Sequence, residues 1–390
     1  MFVGIDLHKS TFNAAVVDDD GNLLRETKGK CEPDELRRFS ESLPAGSTVT
    51  IESSSTWYWA YRVLSQRHEV VLSNPVKTRA ISSAKVKTDR VDAYTLADLS
   101  RGGYIAESYV PPPGIMGIRE LVRYRATLVR MRTNVKNEIH SVLLMYNIQP
   151  RGTPFSEEYV EDLRRIGDYR IDGYLSVLDA LDQEIEKVSR RIREEAIEDG
   201  DARLLMTIPG ISYYSALLIA GEIGDISRFP DSDHLVSYAG LSPSTHSSGG
   251  RTYHGPITKQ GSRYLRWILN QVTHANIRSE PDGTVARFYG KLRSKKGPQK
   301  AIVAASAKML RIIYWVLRER RPYDYDAVKP KLHYAYVGMH QHTYVCVRRV
   351  KPESESSTMV SATILPVTPI TSCGARSCMD LCFMQRKAGD

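Results

Sequence analysis

Four acidic residues, Asp6, Glu52, Asp89 and Asp92, carry the clearest chemical suggestion in the sequence. Asp6 falls inside the apolar run FVGIDL and Glu52 follows STVTI, so both sit on expected strands. In an α/β layer of this order those strands are neighbours at the sheet centre, and the two carboxylates can converge. Asp89 and Asp92, in KTDRVDAYTLADL, are three apart on an expected helix and so share a face. Carboxylates meeting at one spot repel each other unless cations neutralise them. Their hard oxygens suit Mg2+ or Mn2+, and a pair of such ions activates an attacking oxygen and stabilises a leaving one in phosphoryl transfer. Singly each acid is weak evidence, because Asp-x-x-Asp on a helix is usually a solvated face; the inference rests on the joint pattern.

A second set lies in YAGLSPSTHSSGGRTYHGPITKQGSRYLRWIL. Ser247 and Ser248 precede two glycines, and Lys259, Arg263 and Arg266 follow. Glycines would let a hydroxyl approach a backbone phosphate closely while the cations hold it. On spacing alone, Ser-Ser-Gly-Gly also reads as an ordinary surface loop.

The elements that must position these residues begin with a meander, VGID, FNAAVV and LLRET, turned by DDDG at Asp18 to Gly21. A helix over Glu35 to Leu43, the strand STVTIES, a helix over Trp57 to Gln66 and the strand HEVVLSN complete an α/β layer of three strands followed by αβαβ. PPPG at Pro111 to Gly114 closes this first domain, placed at residues 1–110. Residues 115–200 are expected to be a helical linker. Its first helix, 115–147, is basic, with Arg119, Arg123, Arg125, Arg130, Arg132 and Lys136. Leu178, Leu181, Ile185, Val188 and Ile192 then step in the rhythm of a short coiled coil, which would be a spacer or a dimer contact; a helix hairpin packed on its own chain reads equally well.

Residues 201–325 are expected to form a mainly α domain. LLMTIPGISYYSALLIAGEIG resembles a helix-hairpin-helix, whose backbone amides can face a phosphate, and is equally an ordinary packed hairpin. A loop rich in Ser, Gly and Pro is expected from Gly240 to Pro256, then a helix from about Gly261 to Ile277. From Arg287 to Arg321 eleven Lys or Arg, among them Arg293, Lys295 and Lys296, face one acid, Glu319, which points to a polyanion more than to solubility. Residues 329–390 change character, with weak periodicity, SESESST and Cys373, Cys378 and Cys382, and read as an appended, partly disordered tail.

The net charge of +9 favours a nucleic-acid partner. No apolar stretch reaches the roughly 20 residues that span a bilayer, Ala301 to Leu317 being interrupted by Lys308 and Arg311, so a membrane protein is not expected. An acid at position 6 does not suit a secretory signal, and five scattered cysteines give no disulfide framework, so a reducing cytoplasm is expected.

GIDLHK, IESS, KTDRVDA, IPGI, YAGLSPSTHSSGG and GPITKQGSRYLR, in that order over about residues 2–320, resemble the DEDD-type insertion-sequence transposases, the group of the Piv invertase and the bridge-RNA-guided recombinases. The resemblance implies an RNase H-like (RuvC-like) N-terminal domain, a coiled-coil linker and a C-terminal transposase domain. It implies that Asp6, Glu52, Asp89 and Asp92 are metal ligands for two ions. Ser248, directly before the glycine, would be the nucleophile, with Ser247 as the alternative. It further implies donor and target DNA as substrates, a structured guide RNA, and a homo-oligomer, dimer or tetramer, in which one subunit's carboxylates can complete another's serine site.

Three rivals share parts of the pattern. GIDLHKSTFNAAVVDDDG resembles the phosphate hairpin of actin-like ATPases and sugar kinases, but a second hairpin and a Gly-Gly adenosine motif are missing from the sequence. A RuvC-like nuclease or junction resolvase would use the same acids with water as nucleophile. A non-catalytic nucleic-acid-binding relic is disfavoured by the presence of all four acids.

Overall fold

The computed structural model describes residues 1–81, 89–248, 251–324, 334–336 and 346–348. They fall into two compact units, Met1–Ile118 and Arg119–Asp390.

The first unit opens with β1 (Phe2–Leu7), β2 (Thr11–Val17) and β3 (Leu23–Lys30), an antiparallel meander as the alternation and the DDDG turn require. Helix α1 (Pro33–Glu41), β4 (Thr48–Glu52), α2 (Trp57–Leu64) and β5 (Glu69–Ser73) follow, then α3 (Pro75–Ile81) and α4 (Asp89–Arg101). The sheet order is β3-β2-β1-β4-β5, with β4 parallel to both β1 and β5. Odd-numbered residues of β1 and β4, Val3, Ile5, Leu7, Val49 and Ile51, point to one face and bury against Leu36 and Phe39 of α1 and Ala60 and Leu64 of α2. Side chains alternate along a strand, so Gly4, Asp6, Thr50 and Glu52 belong to the other face.

Helix α4 lies on that second face, and Gly4 makes the approach possible. A Cβ there would fall inside the backbone of Ala93 and stand 2.5 Å from the Ala97 nitrogen. The helix is fastened at several points. The Thr50 hydroxyl donates to Ser100 (2.8 Å), Arg90 pairs with Glu26 of β3, and Arg101 pairs with Asp98 (2.8 Å) while reaching the Asp19 carbonyl of the β2–β3 turn.

The second unit is mainly helical. Helix α5 (Pro113–Met145) runs into it, followed by α6 (Glu157–Ile166) and α7 (Tyr169–Glu198). Ile139, Val142 and Leu143 of α5 bury against Tyr159 and Leu163 of α6 and Ile171, Leu175 and Leu178 of α7. Arg125 bonds Ser189 and Arg132 bonds Asp182, so α5 and α7 run antiparallel, and the apolar stripe of α7 packs within its own chain. Helix α8 (Gly200–Leu205), the IPGI turn and α9 (Tyr213–Ile223) come next; α9 is buried from Ser215 onward and sits at the centre of this unit. Helix α10 (Ser232–Tyr238), strands β6 (Pro243–Ser248) and β7 (Arg251–Ile257), and helices α11 (Arg263–Ser279), α12 (Thr284–Lys296) and α13 (Pro298–Glu319) complete it.

One expectation changes. The stretch expected as a loop from Gly240 to Pro256 is an antiparallel hairpin, with Ser248 paired to Arg251 and Ser247 to Thr252. Its Ser and Pro content hid strands whose backbones satisfy one another, while Gly-Gly between them is a hairpin signal. The IPGI turn is packed: a Cβ on Gly210 (φ +89°) would meet the Asn276 nitrogen of α11 at 2.5 Å, and the Asn276 amide donates to the Pro209 carbonyl (2.9 Å). The tail at 329–390 lies outside the described residues, apart from the paired segments Tyr334–Tyr336 and Cys346–Arg348. Among the described residues no helix is long and apolar enough to cross a membrane.

Candidate active site

The acidic site is built by three elements of the first unit. Asp6 is the last but one residue of β1 and Glu52 the last of β4; Ile5 pairs with Ile51, so the two acids occupy the next rung on the face that α4 covers. Asp89 and Asp92 stand in the first turn of α4, where the helix dipole favours negative charge. Asp6 is buried, and its carboxyl is pushed above the usual range by that burial first, then by the charges of Asp89, Asp92 and Glu52, with His8 opposing. Thus all four predicted acids share one electrostatic neighbourhood.

His8 is the residue that sequence reasoning missed. Its Nε2 lies 3.1 Å from Asp6 Oδ2 and 3.3 Å from Asp89 Oδ2, bridging strand and helix. One ligand atom each of Asp6, His8 and Asp89 falls within 4.8 Å of the others. The signal was available: His8 stands two residues after Asp6, just past the end of β1, where the strand's alternation turns it to the same side. Two carboxylate oxygens and one imidazole nitrogen form a donor set that suits a divalent cation, Mn2+ and Mg2+ being the natural oxygen-site choices.

The second candidate set belongs to the other unit. Ser247 and Ser248 end strand β6. The base of the hairpin is fixed by backbone bonds from Thr258 to Ser242 (3.0 Å) and from Lys259 to Gly240 (3.1 Å). Arg266 is committed there, donating to the carbonyls of Ala239 (3.1 Å) and Gly261 (2.9 Å), so it braces the hairpin on α11. Lys259 and Arg263 are exposed beside the start of α11, whose N-cap Ser262 accepts from Leu265.

The basic residues divide into braces and free surface. Arg123 makes a two-pronged pair with Glu222 of α9 (2.7 and 2.9 Å), whose carboxylate is 1% exposed, and Arg119 donates to the Gly221 and Glu222 carbonyls at the end of α9. Arg125 stacks on Tyr214 and Lys136 on Phe155. The face of α5 expected to hold a polyanion is therefore largely occupied by structural bonds; Arg130 is exposed. Arg293, Lys295 and Lys296 are exposed at the C-terminal end of α12, with Lys291 and Lys300 nearby in sequence.

Two family models match the chain: a DEDD transposase domain over residues 3–148, and the Transposase IS116/IS110/IS902 family over residues 202–289. The first implies an RNase H-like fold for the N-terminal sheet. The transposase for insertion sequence element IS1328 of Yersinia enterocolitica is 28% identical over 335 residues, 81% of this chain and 96% of that protein. The transposase for insertion sequence element IS1111A of Coxiella burnetii is 25% identical, over 82% of this chain and 90% of that protein. The pilin gene-inverting protein of Moraxella bovis is 27% identical, over 83% of this chain and 97% of that protein.

Proposed function

The chain belongs to the insertion-sequence transposases of the IS116/IS110/IS902 type, enzymes that cut and rejoin DNA, and from that premise we propose that it does so by metal-assisted attack of a serine on the phosphodiester. The observation that carries the reading is the convergence of Asp6, Glu52, Asp89 and Asp92 from β1, β4 and α4. These four would hold Mg2+ or Mn2+, in this reading two ions. When bound, such ions neutralise charge on the transferring phosphate and make an attacking oxygen a better nucleophile.

Ser248 is the proposed nucleophile, with Ser247 as the alternative. Its hydroxyl gives up a proton as the oxygen bonds phosphorus. The deoxyribose oxygen on the far side takes the electron pair, gains a proton and leaves as a free strand hydroxyl. One phosphate ester replaces another, so a strand hydroxyl from a new partner can reverse the step and no nucleotide cofactor is consumed. Ser248 stands at the tip of a hairpin whose base is clamped to α11, a projecting position that supports this role, and Lys259 and Arg263 are exposed at the base, where a strand running along the hairpin would meet them. Residues 1–110 are proposed as the metal-bearing domain, 115–200 as the linker and 201–325 as the transposase domain. A structured guide RNA and a dimeric or tetrameric assembly on donor and target DNA belong to the same proposal; the exposed cations of α12 support it because they suit a phosphate backbone.

Incubated with Mg2+, cognate DNA and the RNA that co-purifies with it, the protein should form a denaturant-stable adduct with DNA, and Ser248→Ala should abolish it. An adduct that persists in both Ser248→Ala and Ser247→Ala would remove the serine chemistry. Cleavage by the unaltered protein without any adduct would favour water as the nucleophile.

A further inference from the structure

Helix α11 carries a face of which the chemistry above uses only Arg263. Arg263, Trp267, Gln271, His274 and Arg278 are spaced by four, four, three and four residues, lie along one side and are all exposed. The helix contains no acidic residue, and its opposite side, Leu265, Ile268, Leu269 and Val272, is buried. Trp267 is 44% exposed in the second turn of α11, roughly 6 Å along the axis from its start, where the serine hairpin is braced.

The tryptophan is held rather than loose. Tyr214 meets it edge to face, with centroids 6.4 Å apart at 65°, and the Arg125 guanidinium lies 4.4 Å over the Tyr214 ring. Beside it Tyr264 is flanked by the guanidinium groups of Arg123 (5.2 Å) and Arg263 (5.1 Å). Single exposed apolar side chains are common and signify little. Here the large ring is braced by a second ring, stands among cations and has no acid on its helix. An indole face next to cations matches a ligand that is both a π-face and a polyanion, which is an unpaired nucleotide.

We infer that Trp267 stacks an unpaired base of the DNA strand held beside the β6–β7 hairpin, with Arg263 on the adjoining phosphate. Strand exchange needs such a platform, because bases must leave one duplex before they join another. The inference rests on this hairpin handling DNA, but not on Ser248 being the nucleophile.

The test uses the full-length protein with a single-stranded DNA of about 12 nucleotides, the same sequence as RNA, and a blunt duplex of the same length. Trp267→Ala should weaken single-stranded DNA binding about 10-fold or more and leave the duplex within about 2-fold, while Trp267→Phe should keep most of the affinity. Binding of single-stranded DNA should quench tryptophan fluorescence, with the quench lost in Trp267→Phe and kept in Trp315→Phe, which alters the exposed tryptophan of α13. Unchanged single-stranded binding in Trp267→Ala, an equal loss on the duplex, or a loss confined to RNA would each overturn the inference. A normal result here with a failed adduct assay would reject the serine chemistry and leave the platform standing.

Discussion

Asp6 is buried beside three other carboxylates, and both facts oppose its charge. A divalent ion reverses that balance, so binding should stabilise the fold. Melting in added Mn2+ should rise for the unaltered protein, by about 2.7 kcal/mol in unfolding free energy at a hundredfold excess over Kd, and the rise should vanish in Asp6→Asn. An equal rise in that variant would move the ion elsewhere. Asp89→Asn keeps the helix start but removes a charge from the site, so strand cleavage should fall by about 100-fold or more while nucleic-acid binding holds. Unchanged cleavage would take Asp89 out of the site. His8 adds a nitrogen donor between Asp6 and Asp89. His8→Ala should lower Mn2+ affinity about 10-fold and Mg2+ affinity less, because an imidazole suits the softer ion. Isothermal titration with each metal reads the difference, and equal effects would make His8 a bridge between acids only. The four acids were legible from strand parity and helix spacing. His8 was equally legible by its offset of two from Asp6, but an argument about carboxylates passes over it.

Helix α4 delivers Asp89 and Asp92 only because β1 has no side chain at Gly4. Gly4→Ala would place a methyl inside the Ala93 backbone, and overpacking of this kind costs about 1–3 kcal/mol. Thermal unfolding should show that loss together with weaker metal binding; a stable Gly4→Ala protein with normal metal response would refute the close approach. In the second unit Arg123 pairs with Glu222, whose side chain is buried. Arg123→Met should cost about 3–5 kcal/mol, read by denaturant unfolding, since it strands a buried charge. The N-terminal elements were readable because turns and alternation are local. The internal bonds of Arg119 and Arg123 were not, because their partners, Gly221 and Glu222, lie about 100 residues on. The hairpin around Ser248 was missed for another reason: its strands are made by backbone pairing and not by an apolar pattern.

At the scale of the molecule, among the described residues of the second unit, exposed cations cluster on α12 and its neighbours, while much of the positive charge of α5 is spent internally. Replacing Arg293, Lys295 and Lys296 by Gln should flatten the dependence of log K on log salt by about 0.9 for each phosphate left without its cation, and the same change at Arg123 should not alter the slope. An unchanged slope in the triple variant would place the polyanion elsewhere. The buried state of α9 also has a consequence for how the protein is made. Its apolar surface is covered by α7 before it and α11 after it, and its end is capped by an arginine 102 residues earlier in the chain. Until α11 has left the ribosome the side of α9 that α11 covers stays open, while α7 is already made. Synthesis at roughly 5–20 residues per second leaves that side open for seconds, an interval in which a nascent chain stalled before α11 should be more prone to aggregate than one stalled after it.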